Sequence, residues 1–223
     1  MATNITESQR VQEAIRHDIL TGEIEQGSRL PQRPLAERYG TTTIVVRDSL
    51  RALELEGLVE IEPKWGATVI EITPERVRER YIVREALEGM AARLASQELG
   101  QREKDELANL AEEVDKAHGD PAVSREEKAT IHHKLHARIV EASRCNELIA
   151  LVQRFNLHTL ILSNAFHIDW QAEVDDWHGQ LIAAIASGDG DRAEEMMRVH
   201  VRRGLEMESE ALARPGAVQV SGD

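Results

Sequence analysis

The alternation of apolar and polar residues that is typical of β-strands is confined to one short stretch of this 223-residue chain. Residues 58–62 and 67–72 largely alternate and are rich in β-branched side chains, and the turn-forming sequence Pro63-Lys64-Trp65-Gly66 separates them. Together they predict a small β-hairpin. Elsewhere the apolar residues recur at helical spacing. The chain is therefore predicted to build one two-stranded sheet and to be otherwise mainly α.

The hairpin divides the chain into two parts of different character. Three short helical segments, interrupted by Gly22 and Gly40, precede it, whereas Thr73-Pro74-Glu75 after it is a helix-start signal. Six helices are predicted from there on, at about 74–98, 101–117, 122–142, 146–166, 169–187 and 190–212. We expect one domain over residues 1–72, an all-α helical bundle over residues 73–213, and a disordered tail over residues 214–223.

The order of helices and hairpin in residues 1–72 is that of a winged helix-turn-helix. In such a module the second helix of the pair lies in the DNA major groove, with its N-terminal residues close to bases and phosphates. The hairpin forms the wing, whose glycine lets the backbone approach DNA. Any small helical domain with a hairpin can have this order, and its arginines can be ordinary surface charges. The residues expected to contact DNA are Thr42, Thr43, Arg47 and Arg51 on the second helix and Lys64 and Gly66 in the wing.

The net charge of −13, from 27 basic and 40 acidic residues, at first sight opposes binding to the polyanion DNA. The distribution of the charge weakens this objection. Residues 29–51 contain five arginines against Glu37 and Asp48, a local net charge of +3. Positive charge is thus concentrated where DNA docking requires it, and the acidic remainder is expected to limit non-specific binding.

Other sequence features exclude several protein classes. With a single cysteine, Cys145, the chain cannot form an internal disulfide or a cysteine-based zinc module. No apolar run approaches the roughly 20 residues of a membrane span. The polar residues 1–10 contain no signal-peptide segment. These observations favour a cytoplasmic protein without a membrane partner.

Eight of the nine histidines follow residue 117, and four of them fall on apolar helix faces where leucine would be expected. His132 and His136 share one face, and His178 and His200 lie among apolar residues of two other helices. A single histidine in such a place is usually a core residue with a satisfied hydrogen bond. Four on three helices are better explained by a shared divalent transition metal, with zinc or nickel the first expectation. His133 is expected to face solvent.

A metal-dependent enzyme of the helical-bundle type is the main alternative. The segment from His132 to His136 has the spacing of the H-E-x-x-H zinc-protease motif, but His133 stands where that motif needs glutamate as general base. The sequence has no glycine-rich phosphate loop and no evident nucleophile–base pair, so we do not expect an enzyme. A metal-responsive switch without an organic ligand and a purely structural metal both remain open.

Several motifs follow one another in a fixed order in the N-terminal part. They are Gln26-Gly27-Ser28-Arg29-Leu30-Pro31, Leu35-Ala36-Glu37, Gly40, Val46-Arg47-Asp48-Ser49-Leu50, Leu53, Glu56-Gly57-Leu58-Val59 and Gly66-Ala67-Thr68-Val69. This order resembles the DNA-binding domain of the GntR family of bacterial transcription regulators over about residues 8–70. The resemblance implies DNA contacts by Arg33 and Arg47. Thr43 replaces a third family arginine and Val45 replaces a proline, departures that bear on the operator sequence more than on DNA binding itself.

The helical part carries a second set of motifs, namely Arg84-x-x-Leu87-Glu88, Leu135-His136, Trp177-His178, and Gly188-Asp189 followed by Met197 and His200. They resemble the FCD effector domain of the FadR subfamily over about residues 74–210. Many members bind a metal through an Asp-x-x-x-His pair and two further histidines. The resemblance implies that His136, His178 and His200 are ligands, with His132 at the aspartate position, where it either is a fourth ligand or points elsewhere and leaves three. An all-histidine site should hold an anionic effector at least as readily.

The resemblance also implies partners for the chain. Residues 73–213 would bind an effector and form a homodimer, which matches two half-sites of a palindromic double-stranded operator. The effector would be a small carboxylate, such as a hydroxy acid or sugar acid, bound at the metal. Family members often direct an arginine at the position of Arg84 toward it; the alternative is a surface ion pair with Glu88. His158 and Asn164 are expected to line the effector cavity.

Overall fold

The computed structural model describes residues 5–153 and 177–213, and its contacts divide the chain into two units between Ile72 and Thr73. The prediction of a mainly helical chain with an N-terminal winged helix-turn-helix is confirmed. The first unit contains α1 (Glu7–Leu20), α2 (Gln32–Arg38), α3 (Thr43–Leu55), β1 (Val59–Glu62) and β2 (Gly66–Val69). The second contains α4 (Pro74–Glu98), α5 (Gln101–Gly119), α6 (Arg125–Ala142), α7 (described over 146–153), α8 (Trp177–Ala186) and α9 (Gly190–Ala213).

In the first unit, α1 and α3 pack against each other through apolar residues at helical spacing. Val11 and Ile15 on α1 and Val46 on α3 are completely buried. The side chain of Thr42 caps the N-terminus of α3 by accepting the backbone N–H of Val45 at 3.4 Å. Burial of this face of α3 leaves the opposite face, which carries Arg47, exposed to solvent.

The wing is a two-stranded antiparallel sheet in which Val59 lies opposite Val69. Lys64 and Gly66 both have positive φ, of 75° and 90°, so the turn between the strands is tight and Gly66 adopts its conformation without strain. The Arg29 guanidinium lies 5.8 Å from the centre of the Trp65 ring. The wing therefore exposes an aromatic side chain beside basic groups.

In the second unit, α4 packs against α6, α8 and α9, and α5 packs against α6 and α8. Small buried residues such as Ala91, Ala92 and Ala95 allow neighbouring helices to approach α4. At Gly89 the approach of α9 is so close that a Cβ would lie 2.9 Å from Cγ of Arg198. Side chains directed inward from α4, α6, α8 and α9 consequently meet inside the unit.

Two helix boundaries differ by two or three residues from those predicted. The helix α5 continues to Gly119, and α6 begins at Arg125 because the Ser124 side chain caps it by accepting the N–H of Glu127 at 3.2 Å. Much of the predicted helices 146–166 and 169–187, and the whole predicted tail 214–223, lie outside the described residues.

Candidate metal centre and nucleic-acid interface

Three of the four histidines predicted to bind metal meet at one point inside the helical unit. The Nε2 atom of His136 lies 3.0 Å from Nε2 of His132 and 2.9 Å from Nε2 of His200. The Nε2 atoms of His132 and His200 are 3.2 Å apart. In the part of the chain that the structure describes, these three histidines are the residues whose ligand atoms lie close enough together to share a metal ion.

The spacing of the triplet fits a metal ion. Nitrogen atoms that bind one ion at about 2.0–2.1 Å lie about 2.9–3.4 Å from one another in octahedral or tetrahedral geometry. The three Nε2–Nε2 distances, 2.9, 3.0 and 3.2 Å, fall in this interval. The residues present therefore suit a divalent transition metal held by imidazole nitrogens.

Two carboxylates orient the imidazoles around this point. Glu88 Oε2 lies 2.5 Å from Nδ1 of His136, and Asp115 Oδ1 lies 2.5 Å from Nδ1 of His178. An ionised carboxylate accepts hydrogen bonds only, so each Nδ1 carries the proton and each Nε2 has a lone pair and no proton. The buried Nε2 of His178 has no hydrogen-bond partner among the described residues. The His178 ring centre lies 4.9 Å from that of His132, but its nitrogen is not part of the group of ligand atoms that lie within 4.8 Å of one another.

The Nδ1 atom of His200, unlike those of His136 and His178, does not face a carboxylate of any described residue. This atom accepts a hydrogen bond from the Trp177 indole N–H at 2.8 Å. Because the indole nitrogen can only donate, a neutral His200 in this arrangement carries its proton on Nε2. For Nε2 of His200 to bind a cation, the proton must move to Nδ1 and the hydrogen bond from Trp177 must break.

The protonation states of the cluster favour cation binding. Burial lowers the pKa of His132 and of His200 well below the ordinary value, and the neighbouring histidines lower both further. These two imidazoles are therefore neutral at neutral pH, and a neutral imidazole binds a metal once the coordinating nitrogen carries no proton. The arrangement offers nitrogen ligands held in place by hydrogen bonds from several helices.

Arg84 forms an ion pair with Glu88, which was one of the two predicted alternatives. The prediction placed this pair at the surface, whereas in the structure it is buried. Arg84 Nε donates to Glu88 Oε1 at 2.8 Å, and the two side chains are 9% and 0% exposed. Burial raises the pKa of Glu88, but Arg84 and His136 outweigh it and lower the pKa to about 2. Glu88 is therefore an ionised carboxylate in the interior.

Two histidines lie elsewhere than the sequence indicated. The expectation that His133 faces solvent is wrong: it is partly buried, and burial together with His136 and Arg84 lowers its pKa to about 4. His118 was not predicted to take part, yet its ring lies 5.5 Å from those of His132 and His178. His118 lies on the buried face of α5 together with Leu107, Leu110, Ala111 and Val114. The helical spacing of these apolar residues is visible in the sequence.

The residues predicted to contact DNA all lie at the surface of the first unit. Arg47 Nε is 3.7 Å from the carboxylate of Asp48, and Arg33 Nε is 3.6 Å from that of Glu37. Both are solvent-exposed pairs that contribute little energy and can exchange for phosphate contacts. The full exposed set is Arg33, Thr42, Thr43, Arg47, Arg51, Lys64 and Gly66.

Two predicted effector residues, His158 and Asn164, lie outside the described residues. In the part of the chain that the structure describes, no helix combines the length and apolar character needed to cross a membrane.

Comparison with known protein families assigns both units. Residues 79–203 match the FCD domain, and residues 7–69 match the bacterial regulatory proteins of the gntR family. The Uxu operon regulator of Haemophilus influenzae is 25% identical over 216 residues, which cover 86% of this chain and 78% of that protein. An uncharacterized HTH-type transcriptional regulator, YdhC of Bacillus subtilis, is 28% identical over 138 residues, and the match covers 62% of this chain and 61% of that one.

The fold also recurs in solved structures. The structure of McbR/YncC of Escherichia coli superposes with a TM-score of 0.72 and 19% sequence identity, over 92% of this chain and 98% of that one. At this level of identity the likeness concerns the fold alone. The related proteins are transcription regulators and not enzymes, which argues against the predicted alternative of a metal-dependent enzyme.

Proposed function

Because the chain belongs to the GntR family of bacterial transcription regulators and carries an FCD domain, we propose that it is a regulator whose operator binding responds to a metal-bound organic acid. Its family makes it a DNA-binding transcription regulator. We further propose that the protein acts in the cytoplasm as a homodimer on a palindromic operator, whose two half-sites suit the two-fold symmetry of the dimer.

The domain assignment is part of this proposal. Residues 1–72 would bind DNA, and residues 73–213 would bind the effector and form the dimer. The DNA-contacting residues would be the seven predicted at the surface of the first unit. Arg29, which is exposed beside Trp65 in the wing, is an additional candidate, since a guanidinium binds phosphate and base edges of duplex DNA.

The metal is the best-supported part of the proposal. FCD domains often bind a metal, and the meeting of three Nε2 atoms within 3.2 Å of one another is the observation that carries the proposal here. His132, His136 and His200 would be ligands, and His178 would add a fourth nitrogen. Zinc and nickel are the first candidates, because both accept imidazole ligands readily.

An anionic effector is favoured by the charge of this site. Four neutral imidazoles leave the full 2+ charge of the ion, whereas an aspartate at the position of His132 would reduce it. A hydroxy acid or sugar acid could then bind the metal at an open position. Since Nε of Arg84 is bound to Glu88, an effector carboxylate would have to use the terminal nitrogens of that guanidinium. His158 and Asn164 would line the remaining cavity.

A thermal-shift screen of small organic acids tests the proposal. We expect one class of hydroxy or sugar acid to raise Tm of the zinc-loaded protein, because a ligand that binds only the folded state stabilises it. The same acid should have no effect after the metal is removed with EDTA or in the His200→Ala variant. A shift of equal size with and without metal would contradict an effector site at the metal.

A further inference from the structure

Glu88 is completely buried and uses its two oxygens for two different partners. Oε1 accepts from Nε of Arg84 at 2.8 Å, and Oε2 lies 2.5 Å from Nδ1 of His136. The first partner is the arginine implied in effector binding and the second is a ligand of the proposed metal. We propose that Glu88 is a positioning residue that sets the tautomer and ring orientation of His136 and joins it to Arg84. This inference rests on the proposed metal site.

The physical reason lies in the chemistry of imidazole. A neutral histidine has one N–H and one lone pair, and a carboxylate on Nδ1 selects the form whose Nε2 is bare. The carboxylate also raises the basicity of that Nε2, which strengthens its bond to a metal ion, as carboxylates bonded to metal-ligating histidines generally do. Because Glu88 and His136 are both buried, this hydrogen bond fixes the orientation of His136 before a metal binds.

Arg84 is what allows a negative charge to remain at this position. A buried carboxylate needs a charged or hydrogen-bonding partner. The Nε–H of Arg84 is that partner at 2.8 Å, and the face of the Tyr81 ring lies 4.7 Å from the same guanidinium. Arg84 therefore acts on the metal ligand through Glu88, whether or not it also contacts an effector.

The experiment compares zinc affinities of the full-length protein by competition with a chelator. Glu88→Gln keeps the size of the side chain but loses its charge, and we expect it to weaken zinc binding about 10- to 100-fold. The matched control is Glu85→Gln, one turn away on α4. Glu85 pairs with Arg202 at 3.0 Å and with Arg198 at 3.7 Å on α9, so its loss should leave the zinc affinity unchanged.

A double-mutant cycle separates positioning from general structural support. If Glu88 acts through His136, then Glu88→Gln should have no further effect on zinc affinity in a His136→Ala background. An equal loss in both backgrounds would overturn the inference. A wild-type protein that binds neither zinc nor nickel would contradict the proposed metal site itself, whereas zinc binding that is unaltered by Glu88→Gln would contradict only the role of Glu88.

A measurement on the wild-type protein covers the case in which Glu88→Gln does not fold. Nitrogen-15 NMR of the histidine side chains distinguishes the two neutral tautomers in the zinc-free protein. We expect His136 to carry its proton on Nδ1, because Glu88 accepts it there. Finding the proton on Nε2 would overturn the inference without any substitution.

Discussion

The Nε2 atoms of His136 and His200 lie 2.9 Å apart, although 64 residues separate the two histidines in the chain. Helix α4 makes this meeting possible, because it packs against both α6 and α9. Two buried imidazole nitrogens at this distance can share a proton or a metal ion. The Nε2 of His132, 3.0 and 3.2 Å away, adds a third nitrogen, and three imidazole nitrogens at these distances suit the ligand set of one metal ion.

Removal of two of the proposed ligands should abolish metal binding. We expect His178→Ala combined with His200→Ala to weaken zinc binding by more than about 100-fold, a larger loss than that of an outer hydrogen-bond partner. Isothermal titration calorimetry measures the effect. The control is His17→Ala, which changes an exposed histidine of α1 in the other unit. Equal zinc affinity in the double variant and the control would exclude these histidines as ligands.

Trp177 should oppose metal binding. Its indole N–H donates to Nδ1 of His200 at 2.8 Å, and this hydrogen bond has to break when Nε2 of His200 binds a cation. A hydrogen bond of this kind contributes about 0.5–1.5 kcal/mol, so Trp177→Phe is expected to raise the zinc affinity about 2- to 10-fold. A chelator competition assay measures the change. A lower affinity in Trp177→Phe would mean that Trp177 supports the metal-bound state.

Arg47 should contribute directly to operator binding. It is exposed near the start of α3, and its closest acidic neighbour, Asp48, is a weak partner at 3.7 Å. We expect Arg47→Ala to weaken operator binding by about 1–3 kcal/mol if the arginine contacts a base. Fluorescence anisotropy at fixed salt measures the affinity. Arg102→Ala, an exposed arginine in the helical unit, is the control, and equal affinities of the two variants would count against the proposed docking of α3.

Glu208 should make stability depend on pH. Burial raises its pKa to about 7, an effect that the hydrogen bond from Tyr81 and the charge of Arg84 only partly offset. The folded state thus prefers the protonated carboxyl more strongly than the unfolded state does. The stability that this group contributes is fully present below pH about 4.5 and is lost as the pH rises to about 7.

The Glu208→Gln variant should therefore become more stable than the wild type as the pH rises. The difference should grow from near zero in acid toward about 3 kcal/mol above pH 7, as expected for a pKa raised by two to three units. Urea unfolding at several pH values measures it. Glu210→Gln, at an exposed position of α9, should give no such trend. A constant difference across the pH range would show that Glu208 does not titrate in this interval.

Much of this architecture could be predicted because it depends on local periodicity. The four-residue spacing of His132 and His136 places both on one face of α6, and the alternation around the wing predicts β1 and β2. The partners of the histidines could not be predicted in the same way. Glu88 and Asp115 meet His136 and His178 only because of the rotation and crossing of α4 and α5 against their neighbours, and no local pattern encodes those angles.

The dependence of burial on helix packing also explains the other differences between the prediction and the structure. The sequence indicated a pair between Arg84 and Glu88 from their spacing, but its burial depends on how other helices cover α4. His133 is adjacent to two inward-facing histidines, and its partial burial likewise follows from packing around α6. His118 lies on a periodic apolar face of α5 and was therefore accessible to sequence reasoning.

The most direct test of the metal site is the metal content of the wild-type protein. Purified full-length protein would be loaded with zinc or nickel, freed of unbound ion by gel filtration, and analysed for metals by mass spectrometry. The convergence of the His132, His136 and His200 Nε2 atoms predicts about one ion per chain. Protein that retains no zinc and no nickel after this treatment would contradict the account.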